Sequence, residues 1–322
     1  MIFLIQQTMI FAIPLLIVAL AGVFAERSGI INIALDGIMI FGAFLGAVVV
    51  YHIQLSGKGP SGQWLYIVAL ASSALAGGIF ALLLGFSAIT LKADQTIGGT
   101  ALNLLAPAIA LFLIKVIYGT NALRMPVGTV TEYMLHTKTG TFLDAFTDKS
   151  YISTYLMVAL FIILSIILYK TKFGLRLRSC GEHPQAAASV GINVKKMRYS
   201  GVFISGTLAG MGGYIYIATV SSGTAEGSVA GMGFFALAIM IFGNWKPGGI
   251  AIGALLFGML KCIGSTYRML DLNNDGVAAL ANVNLPSYFY NMIPYIAVLV
   301  VLAFTSKHSR APKAEGIPYD VR

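Results

Sequence analysis

Residues 26–39 read ERSGIINIALDGIM and interrupt two long apolar runs that precede and follow them. The stretch holds two acids, Glu26 and Asp36, together with Arg27 and the amide Asn32. A charge at the centre of a bilayer costs about 2.5–3.5 kcal/mol, and polar side chains inside spans usually face a bundle interior or a water-filled cavity. The pattern predicts a polar break between two membrane helices, with Glu26 and Arg27 pairing at the cytoplasmic interface.

The composition around this break is that of a membrane protein. Of 322 residues, 57% are hydrophobic and 10% are charged, and the mean hydropathy is +0.84. A water-soluble surface needs more charge than this, which excludes a soluble enzyme. The apolar runs at 155–169 and 292–304 are unbroken, whereas membrane β-strands alternate apolar and polar residues. The predicted fold class is therefore an all-α polytopic membrane protein.

Nine apolar stretches approach or reach the length that crosses a hydrocarbon core of about 30 Å, and we predict that each forms a transmembrane helix. No charged segment precedes the first stretch, so we expect it to be retained as a span rather than cleaved as a signal peptide. The predicted spans cover residues 8–24, 36–51, 64–89, 98–118, 152–169, 199–219, 229–243, 248–266 and 286–304.

Charge predicts the orientation of these helices. The loop at 170–198 contains seven basic residues and one acid, so it carries +6 of the net charge of +9. Cytoplasmic loops are enriched in Lys and Arg, which places this loop and the net-positive tail at 305–322 inside and the N-terminus outside. The loops at 119–150 and 267–285 are not basic, as expected outside. We expect the protein in the cell inner or plasma membrane, and no nucleic-acid partner.

The order of the spans indicates an inverted repeat. Four spans, a fifth, the basic loop and four further spans place the first and sixth helices in opposite directions across the membrane. Each half has a polar, Gly-containing break after its first span, at 26–37 and at 221–233. Paired breaks of this kind predict discontinuous helices around a pathway near the middle of the membrane.

Three polar side chains within these segments are candidates for that pathway. Asn32 and Asp36 lie in the first break, and we interpret them as lining a water-filled route. Asn103 lies in the fourth span and is similar, although a single Asn in a span as often forms a hydrogen bond between helices.

Small residues recur four positions apart on several predicted helices. The pairs are Gly42 and Gly46, Gly206 and Gly210, and Gly249 and Gly253. This spacing lets helix backbones approach closely, so we assign these glycines to packing rather than to chemistry.

The two cysteines do not indicate a bridge. Cys180 lies in the basic cytoplasmic loop and Cys262 in an apolar span. Thiols in a reducing compartment rarely form disulfides, and the positions do not suggest a pair. We expect neither a disulfide nor a metal site.

The cytoplasmic loop contains a predicted short helix. Residues 181–184 (GEHP) form a turn, Pro184 suits the first position of a helix, and residues 185–190 form the helix that Gly191 ends. Such a helix is usually a connector, yet a connector does not need this mixture of Glu, His and an Ala-rich face. The segment resembles the one by which permeases of ATP-binding cassette (ABC) importers dock into their ATPase. The residues assigned to this coupling are Gly181, Glu182, His183, Pro184, Ala186, Ala187 and Gly191.

Five stretches, distributed over nearly the whole chain, resemble one family. They are residues 26–39, GEHPQAAASVGINV (181–194), SGTLAGMGGYIY (205–216), LAIMIFGNWKPGGIAIGALLFG (237–258) and the tail APKAEGIPYD (311–320). They resemble the permease family shared by simple-sugar, branched-chain amino acid and nucleoside ABC importers, and the tail and first motif favour the nucleoside branch. The sequence departs from that branch at Asp36, His183 and Asn244, where Glu, Asn and Arg are common.

The resemblance implies a permease subunit that moves a nucleoside into the cytoplasm by alternating access. The chain has no Gly-x4-Gly-Lys-Ser/Thr phosphate loop, so ATP and Mg²⁺ are expected on a separate ATPase, with neither cofactor nor enzymatic activity in this chain. The family also implies a second permease, expected to be a paralogue, and an extracellular or periplasmic binding (lipo)protein that meets the loops at 119–150 and 220–229. The predicted organisation is a permease domain at 1–304, with the coupling loop at 170–198, followed by the cytoplasmic tail.

A pathway for a nucleoside needs hydrogen-bonding groups beside aromatic surface, without a strong fixed cation that would hold the ligand too tightly. Asn32, Asp36 and Asn103 meet the first requirement. Phe234 and Phe235, in the broken region of the second half, provide the aromatic surface.

Alternatives stay open at this point. A simple-sugar permease, for a ribose-like substrate, would carry the same motifs. An ion-coupled secondary transporter would share the repeat and the broken helices, but it normally needs acids or ion sites inside its spans, and beyond Asp36 few are present. An intramembrane enzyme is less favoured still, because no paired in-span acids, His-Glu-x-x-His or Gly-x-Ser-x-Gly pattern occurs. Dependence on ATP separates these alternatives.

Overall fold

The computed structural model describes residues 2–57, 59–126, 128–135, 140, 144–267, 286–305 and 311–320. Within these residues the chain is mostly helical, and each apolar run forms a helix. The helices are α1 (Ile2–Arg27), α2 (Leu35–Ser56), α3 (Gly62–Gly85, continued by a π-helical turn at Phe86–Thr90), α4 (Gln95–Tyr118), α5 (Thr129–Glu132), α6 (Asp144–Thr147), α7 (Ile152–Lys170), α8 (Lys172–Glu182), α9 (Pro184–Ser189), α10 (Val194–Thr219), α11 (Met232–Phe242), α12 (Pro247–Thr266) and α13 (Ser287–Thr305).

The predicted spans coincide with the long helices of the described chain. Seven of these, α1 to α4, α7, α10 and α12, are long and apolar enough to cross a membrane. The other two predicted spans correspond to α11 and α13, which are apolar but shorter in the described chain. The prediction of an all-α polytopic membrane protein is confirmed. The number of crossings and the inverted repeat stay predictions.

Both predicted breaks interrupt the helices. α1 ends at Arg27 and α2 begins at Leu35, while α10 ends at Thr219 and α11 begins at Met232. α11 has 11 residues, which at 1.5 Å per residue is about 16 Å, or about half of a hydrocarbon core. One end of α11 therefore lies well inside the bundle rather than at its surface.

The connections gather at two opposite ends of the bundle. At one end the last residue of α1, Arg27, forms an ion pair with Glu182 at 3.4 Å. At the other end β1 (Leu123–Arg124) pairs antiparallel with β4 (Thr224–Ala225), and β2 (Met134–Leu135) pairs with β3 (Ser150–Tyr151). Successive crossings in alternating directions produce this arrangement, in agreement with the order of loops read from the sequence.

α10 packs against α1, α2 and α3, and glycines allow that close approach. A Cβ added at Gly42 would overlap the backbone of Gly210, and a Cβ added at Gly77 would overlap the backbones of Gly206 and Gly210. The packing role predicted for Gly42, Gly206 and Gly210 is therefore confirmed, because a side chain at these positions would force the helices apart.

The basic cytoplasmic loop folds into α8 and α9. The short helix predicted at 185–190 is confirmed within one residue, because α9 begins at Pro184 and Gly191 follows it in the left-handed region with φ of +83°. The turn predicted at 181–184 is wrong in extent. Gly181 and Glu182 continue α8, and only His183 leaves the helical conformation. Gly181 lies so close to α1 that a Cβ there would overlap the backbone of Arg27.

Parts of both predicted outer loops and of the predicted tail lie outside the described residues. They are positions 127, 136–139 and 141–143 of the loop at 119–150, positions 268–285 of the loop at 267–285, and positions 306–310 and 321–322 of the tail. The middle of the tail, 311–320, is described and packs against the helices at the end of the bundle that holds Arg27.

Candidate translocation pathway and coupling surface

The two broken segments meet each other inside the bundle. The carboxylate of Asp36, in the first turn of α2, accepts a hydrogen bond from the backbone N–H of Gly233 in the first turn of α11, with Oδ1 to N at 2.8 Å. Two helix N-termini thus converge on one half-buried carboxylate, which is a favourable place for negative charge. We name this contact between Asp36 and Gly233 the junction.

The junction requires a glycine on the α11 side. A Cβ added at Gly233 would overlap the backbone nitrogen and Cα of Asp36. The glycine noted in the second break is therefore needed for close approach between the two halves of the chain.

Side chains of α4 support the first break from the other side. The amide of Asn103 accepts from Gly37 N at 2.7 Å and donates to Ile33 O at 2.8 Å, so it contacts the backbone of the break twice. Gln95, at the start of the same helix, accepts from Ile31 N at 2.7 Å. Non-helical backbone inside a membrane needs such partners, since water is absent there.

Asn32 is fully buried between the first break and α10. Its Nδ2 donates to Ser205 Oγ at 2.8 Å, while its Oδ1 has no hydrogen-bond partner among the described residues. The structure therefore brings the three predicted polar side chains to the same break. Their role in transport stays a prediction.

The predicted aromatic residues line a groove between α11 and α13. Phe234 is 49% exposed and Phe235 is buried, and together with Tyr295 they border a cavity of about 300 Å³. On α12, Lys261 lies over the rings of Phe235 and Tyr295 at 5.3 and 5.0 Å and donates to Tyr295 Oη at 3.3 Å. We name these four side chains, Phe234, Phe235, Lys261 and Tyr295, the aromatic groove.

The sequence analysis missed Lys261 and Tyr295, and Lys261 departs from its expectation that no strong fixed cation lies beside the aromatic surface. The signal for Lys261 was available, because it is a charged residue inside an otherwise apolar predicted span, and such residues are usually functional.

The coupling surface is formed by α8 and α9. Ala187 is buried against Cys180 and Val194, and Tyr319 of the tail packs on this small cluster. The opposite side of α9 is open, and Val190, just after the helix, is 75% exposed. Of the residues assigned to coupling, His183 and Ala186 are exposed, whereas Gly181 and Ala187 are buried and hold the helices in place.

The described part of the tail binds several elements at this end. Ala314 N donates to Gly181 O at 2.8 Å, Gly316 N donates to Gly29 O at 3.2 Å, and Arg198 Nη1 donates to Ile317 O at 2.9 Å. Arg198 is only 1% exposed, so this carbonyl satisfies part of a buried guanidinium. The tail thus connects the coupling surface to the first break.

Two carboxyl groups lie together under the tail. Glu26 accepts from the indole N–H of Trp245 at 2.5 Å, and the carboxyl of Glu315 in the tail lies close enough to influence its charge. Burial raises the pKa of Glu315 to about 7, although the contacts with Glu26 and Arg27 oppose the shift. The predicted pairing of Glu26 with Arg27 is not what the structure has, because Arg27 pairs with Glu182.

The turn that carries Trp245 has an unusual backbone. Asn244 and Trp245 both adopt positive φ, of 52° and 55°. Asn enters this left-handed region more readily than most residues do. The departure from the family pattern at Asn244 is therefore compatible with the local geometry.

At the opposite end the two loops predicted to meet a binding protein contact each other. β1 belongs to the first loop and β4 to the second, and Met125 N donates to Gly223 O at 2.9 Å beside them. The buried hydroxyl groups of Tyr133 and Tyr214 lie 3.2 Å apart and tie the first loop to α10. We name the surface formed by β1 and β4 the outer platform.

A bundle of membrane-length helices with two broken helices that meet inside it has the architecture of a membrane transport permease. The family described as "Branched-chain amino acid transport system / permease component" matches residues 4–305, and the chain belongs to this family.

Three relatives carry names that bear on function. The guanosine ABC transporter permease protein NupQ of Bacillus subtilis is 38% identical over 98% of this chain and 95% of its own length. The nucleoside ABC transporter permease protein NupC of Lactococcus lactis is 37% identical over 98% of this chain and 96% of its own length. A second guanosine ABC transporter permease protein of Bacillus subtilis, NupP, is 27% identical over 77% of this chain and 70% of its own length.

Proposed function

We propose that the chain is the permease subunit of an ATP-driven importer that moves nucleosides into the cytoplasm. The observation that carries this proposal is the similarity of 37–38% identity, over 98% of the chain, to two permeases named for nucleosides. The junction and the aromatic groove support it, because they place hydrogen-bonding groups beside aromatic surface, as a ribose and a base require.

The mechanism proposed is alternating access at the junction. The contact between Asp36 and Gly233 is one hydrogen bond and one close glycine contact between the ends of two helices, whereas α10 packs against α2 and α3 through several glycines. Movement of α11 relative to α2 would therefore separate the two breaks while the rest of the bundle stays together. ATP and Mg²⁺ are bound by a separate ATPase, and this chain contributes no catalytic residue.

The partners follow from the two ends of the bundle. The ATPase docks on α9 at the cytoplasmic end, and a substrate-binding (lipo)protein meets the outer platform. The second permease is a paralogue, in line with the two different guanosine permeases named in Bacillus subtilis. The N-terminus lies outside and the tail inside.

Uptake by the complete reconstituted complex tests the proposal. Labelled guanosine, inosine, adenosine, uridine and ribose are offered to proteoliposomes with and without internal ATP. We expect ATP-dependent accumulation of nucleosides and not of ribose. Accumulation of ribose alone would identify a sugar permease, and uptake driven by an ion gradient without ATP would identify a secondary transporter.

A substitution on the coupling surface tests the ATPase contact. Val190→Glu places a charge on an exposed apolar side chain without disturbing a described contact. We expect it to lower ATP-driven uptake at least tenfold and to weaken copurification of the ATPase, while the protein still inserts. The matched control is Ser61→Glu, which places the same charge at an exposed position of the opposite end, outside the loops proposed to meet the binding protein. Normal uptake by Val190→Glu would remove this surface from the mechanism.

A further inference from the structure

Lys261 is a cation in the second half of an apolar helix, five residues before its last residue, Thr266. It lies 14 residues after Pro247, the first residue of α12, which at 1.5 Å per residue is about 21 Å along a hydrocarbon core of about 30 Å. A charged side chain costs about 2.5–3.5 kcal/mol at the centre of a membrane span. Charged residues inside spans are therefore rare, and they often mark a substrate or ion pathway. Its surroundings show what that substrate offers.

Among the residues that the structure describes, the contacts of Lys261 are aromatic rather than acidic. Its Nζ lies over the rings of Phe235 and Tyr295 and 3.3 Å from the Tyr295 hydroxyl. The ion pairs found among the described residues do not include Lys261. Aromatic faces stabilise a cation without neutralising it, so the ammonium keeps N–H groups that can donate to a ligand.

The same groove offers a surface for a flat ring. Phe234, at the edge of the groove, is half-exposed. The cavity of about 300 Å³ beside it is lined almost entirely by apolar and aromatic side chains. A nucleobase stacks on such rings regardless of its identity. The polar edge of the base would then point toward the ammonium of Lys261, which lies over the rings of Phe235 and Tyr295 beside the cavity rather than among the residues that line it.

We propose, on the basis of the proposed nucleoside transport, that Lys261 is a specificity-determining residue that favours 6-oxopurine nucleosides in the pathway. Lysine has three donors and no acceptor. Guanine and hypoxanthine present two adjacent acceptors, O6 and N7, whereas adenine presents the donor N6–H₂ beside N7. The ammonium can therefore donate to O6 and N7 of guanine or hypoxanthine. In adenine it would face the N6 amino group, which is also a donor.

Inosine and adenosine form the matched pair of ligands for the test, since they differ in their 6-oxo and 6-amino edges. The purified complex of permeases and ATPase, without binding protein, is titrated with each nucleoside, and the ligand-induced shift of its unfolding temperature is measured. We expect inosine to bind about tenfold more tightly than adenosine. Each variant is compared with its own unliganded form, so a loss of stability does not alter the result.

Two substitutions change the recognition in different directions. Lys261→Met removes the donor and is expected to reduce the preference to about one. Lys261→Gln provides both a donor and an acceptor, which suits N7 and N6 of adenine, and is expected to reverse the preference. The control is Lys115→Met, which removes a lysine from the exposed last turn of α4 and should keep the preference of the unsubstituted protein.

The outcomes separate this inference from the proposed function. Equal binding of inosine and adenosine by the unsubstituted complex, or an unchanged preference in both variants, overturns the role of Lys261, while nucleoside uptake by the complete transporter would still stand. Absence of nucleoside uptake overturns the proposed function itself. If Lys261→Met cannot be purified, reversal or persistence of the preference in Lys261→Gln decides alone.

Discussion

At the scale of single residues, polar side chains in the breaks replace the hydrogen bonds that a continuous helix would make for itself. Asn103 is the clearest case, because its amide uses both its donor and its acceptor on the backbone at Ile33 and Gly37. An amide in this position fixes the shape of the break and leaves less capacity for a passing ligand. Asp36 differs, since its described hydrogen bond uses one carboxylate oxygen, with Gly233.

A substitution of Asn103 separates stabilisation from transport. Asn103→Leu leaves one buried N–H and one C=O without a partner, so we expect the free energy of unfolding to fall by about 1–3 kcal/mol. We expect uptake per folded complex to be largely retained. Thermal unfolding in detergent and uptake measured on the same preparation check this, with the exposed Ala101→Leu on the same helix as control. A stable but slow Asn103→Leu would instead support the pathway role predicted from the sequence.

At the scale of elements, the tail acts as a strap across the end of the bundle. It contacts α8 through Gly181, the first break through Gly29 and α10 through Arg198, and it pairs Asp320 with Lys92 between α3 and α4. One ten-residue segment therefore restrains the coupling surface and the broken helix together. This arrangement links the position of α9 to the conformation of the break.

The tail is expected to dock less tightly as the pH rises. The pKa of Glu315 is about 7 when docked, against an ordinary value of 4.5. Between pH 4.5 and pH 7, Glu315 is protonated in the docked tail but ionised in the released tail. Docking therefore weakens as the pH rises from about 4.5 to 7, and it no longer changes with pH above 7. Below this range docking is strongest. The carboxyl of Glu26 and the guanidinium of Arg27 face Glu315 in this contact.

Reaction of Cys180 with a maleimide reports this docking. Cys180 is buried beneath Tyr319, and burial raises the pKa of its thiol, so it should react slowly while the tail is docked. We expect the labelling rate relative to Glu315→Gln to rise between pH 5 and pH 7, because that variant cannot release the proton. Dividing the labelling rate of the unsubstituted protein by that of Glu315→Gln at each pH removes the effect of pH on ionisation of the Cys180 thiol, because both proteins share that thiol. A ratio that is constant with pH would contradict the link between Glu315 and docking.

At the scale of the whole molecule, the structure sorts the loops into two ends but contains no membrane. The end with α8, α9 and the tail also carries the basic loop, which the positive-inside rule assigns to the cytoplasm. The end with β1 to β4 carries the outer platform, and this end faces outward in the proposed importer. Orientation is thus a prediction that labelling from either side decides.

Single exposed cysteines test the orientation. Both native cysteines are buried, so the background reaction is expected to be low. We expect Ser189→Cys, on α9, to react with an impermeant thiol reagent only in inside-out vesicles. Thr131→Cys, on the outer platform side, should react only in intact cells. The reverse pattern would invert the topology and with it the proposed direction of the partners.

The class of the protein, the positions of its long apolar helices, both breaks and the short helix at Pro184 could be predicted from the sequence alone. These properties are local, because an apolar run, a polar interruption or a helix-starting proline is read within a few turns of chain. The family motifs indicated the transporter class for the same reason. They are contiguous stretches of residues.

Only the tertiary structure decided which polar groups meet. Asp36 and Gly233 are 197 positions apart, and Arg27 and Glu182 are 155 apart, so no local pattern pairs them. The same holds for Lys261 with Phe235 and for the tail on α8. Hydrophobicity places a helix in the membrane, but it carries no information about which neighbour a side chain will contact. That choice depends on how the helices pack against one another.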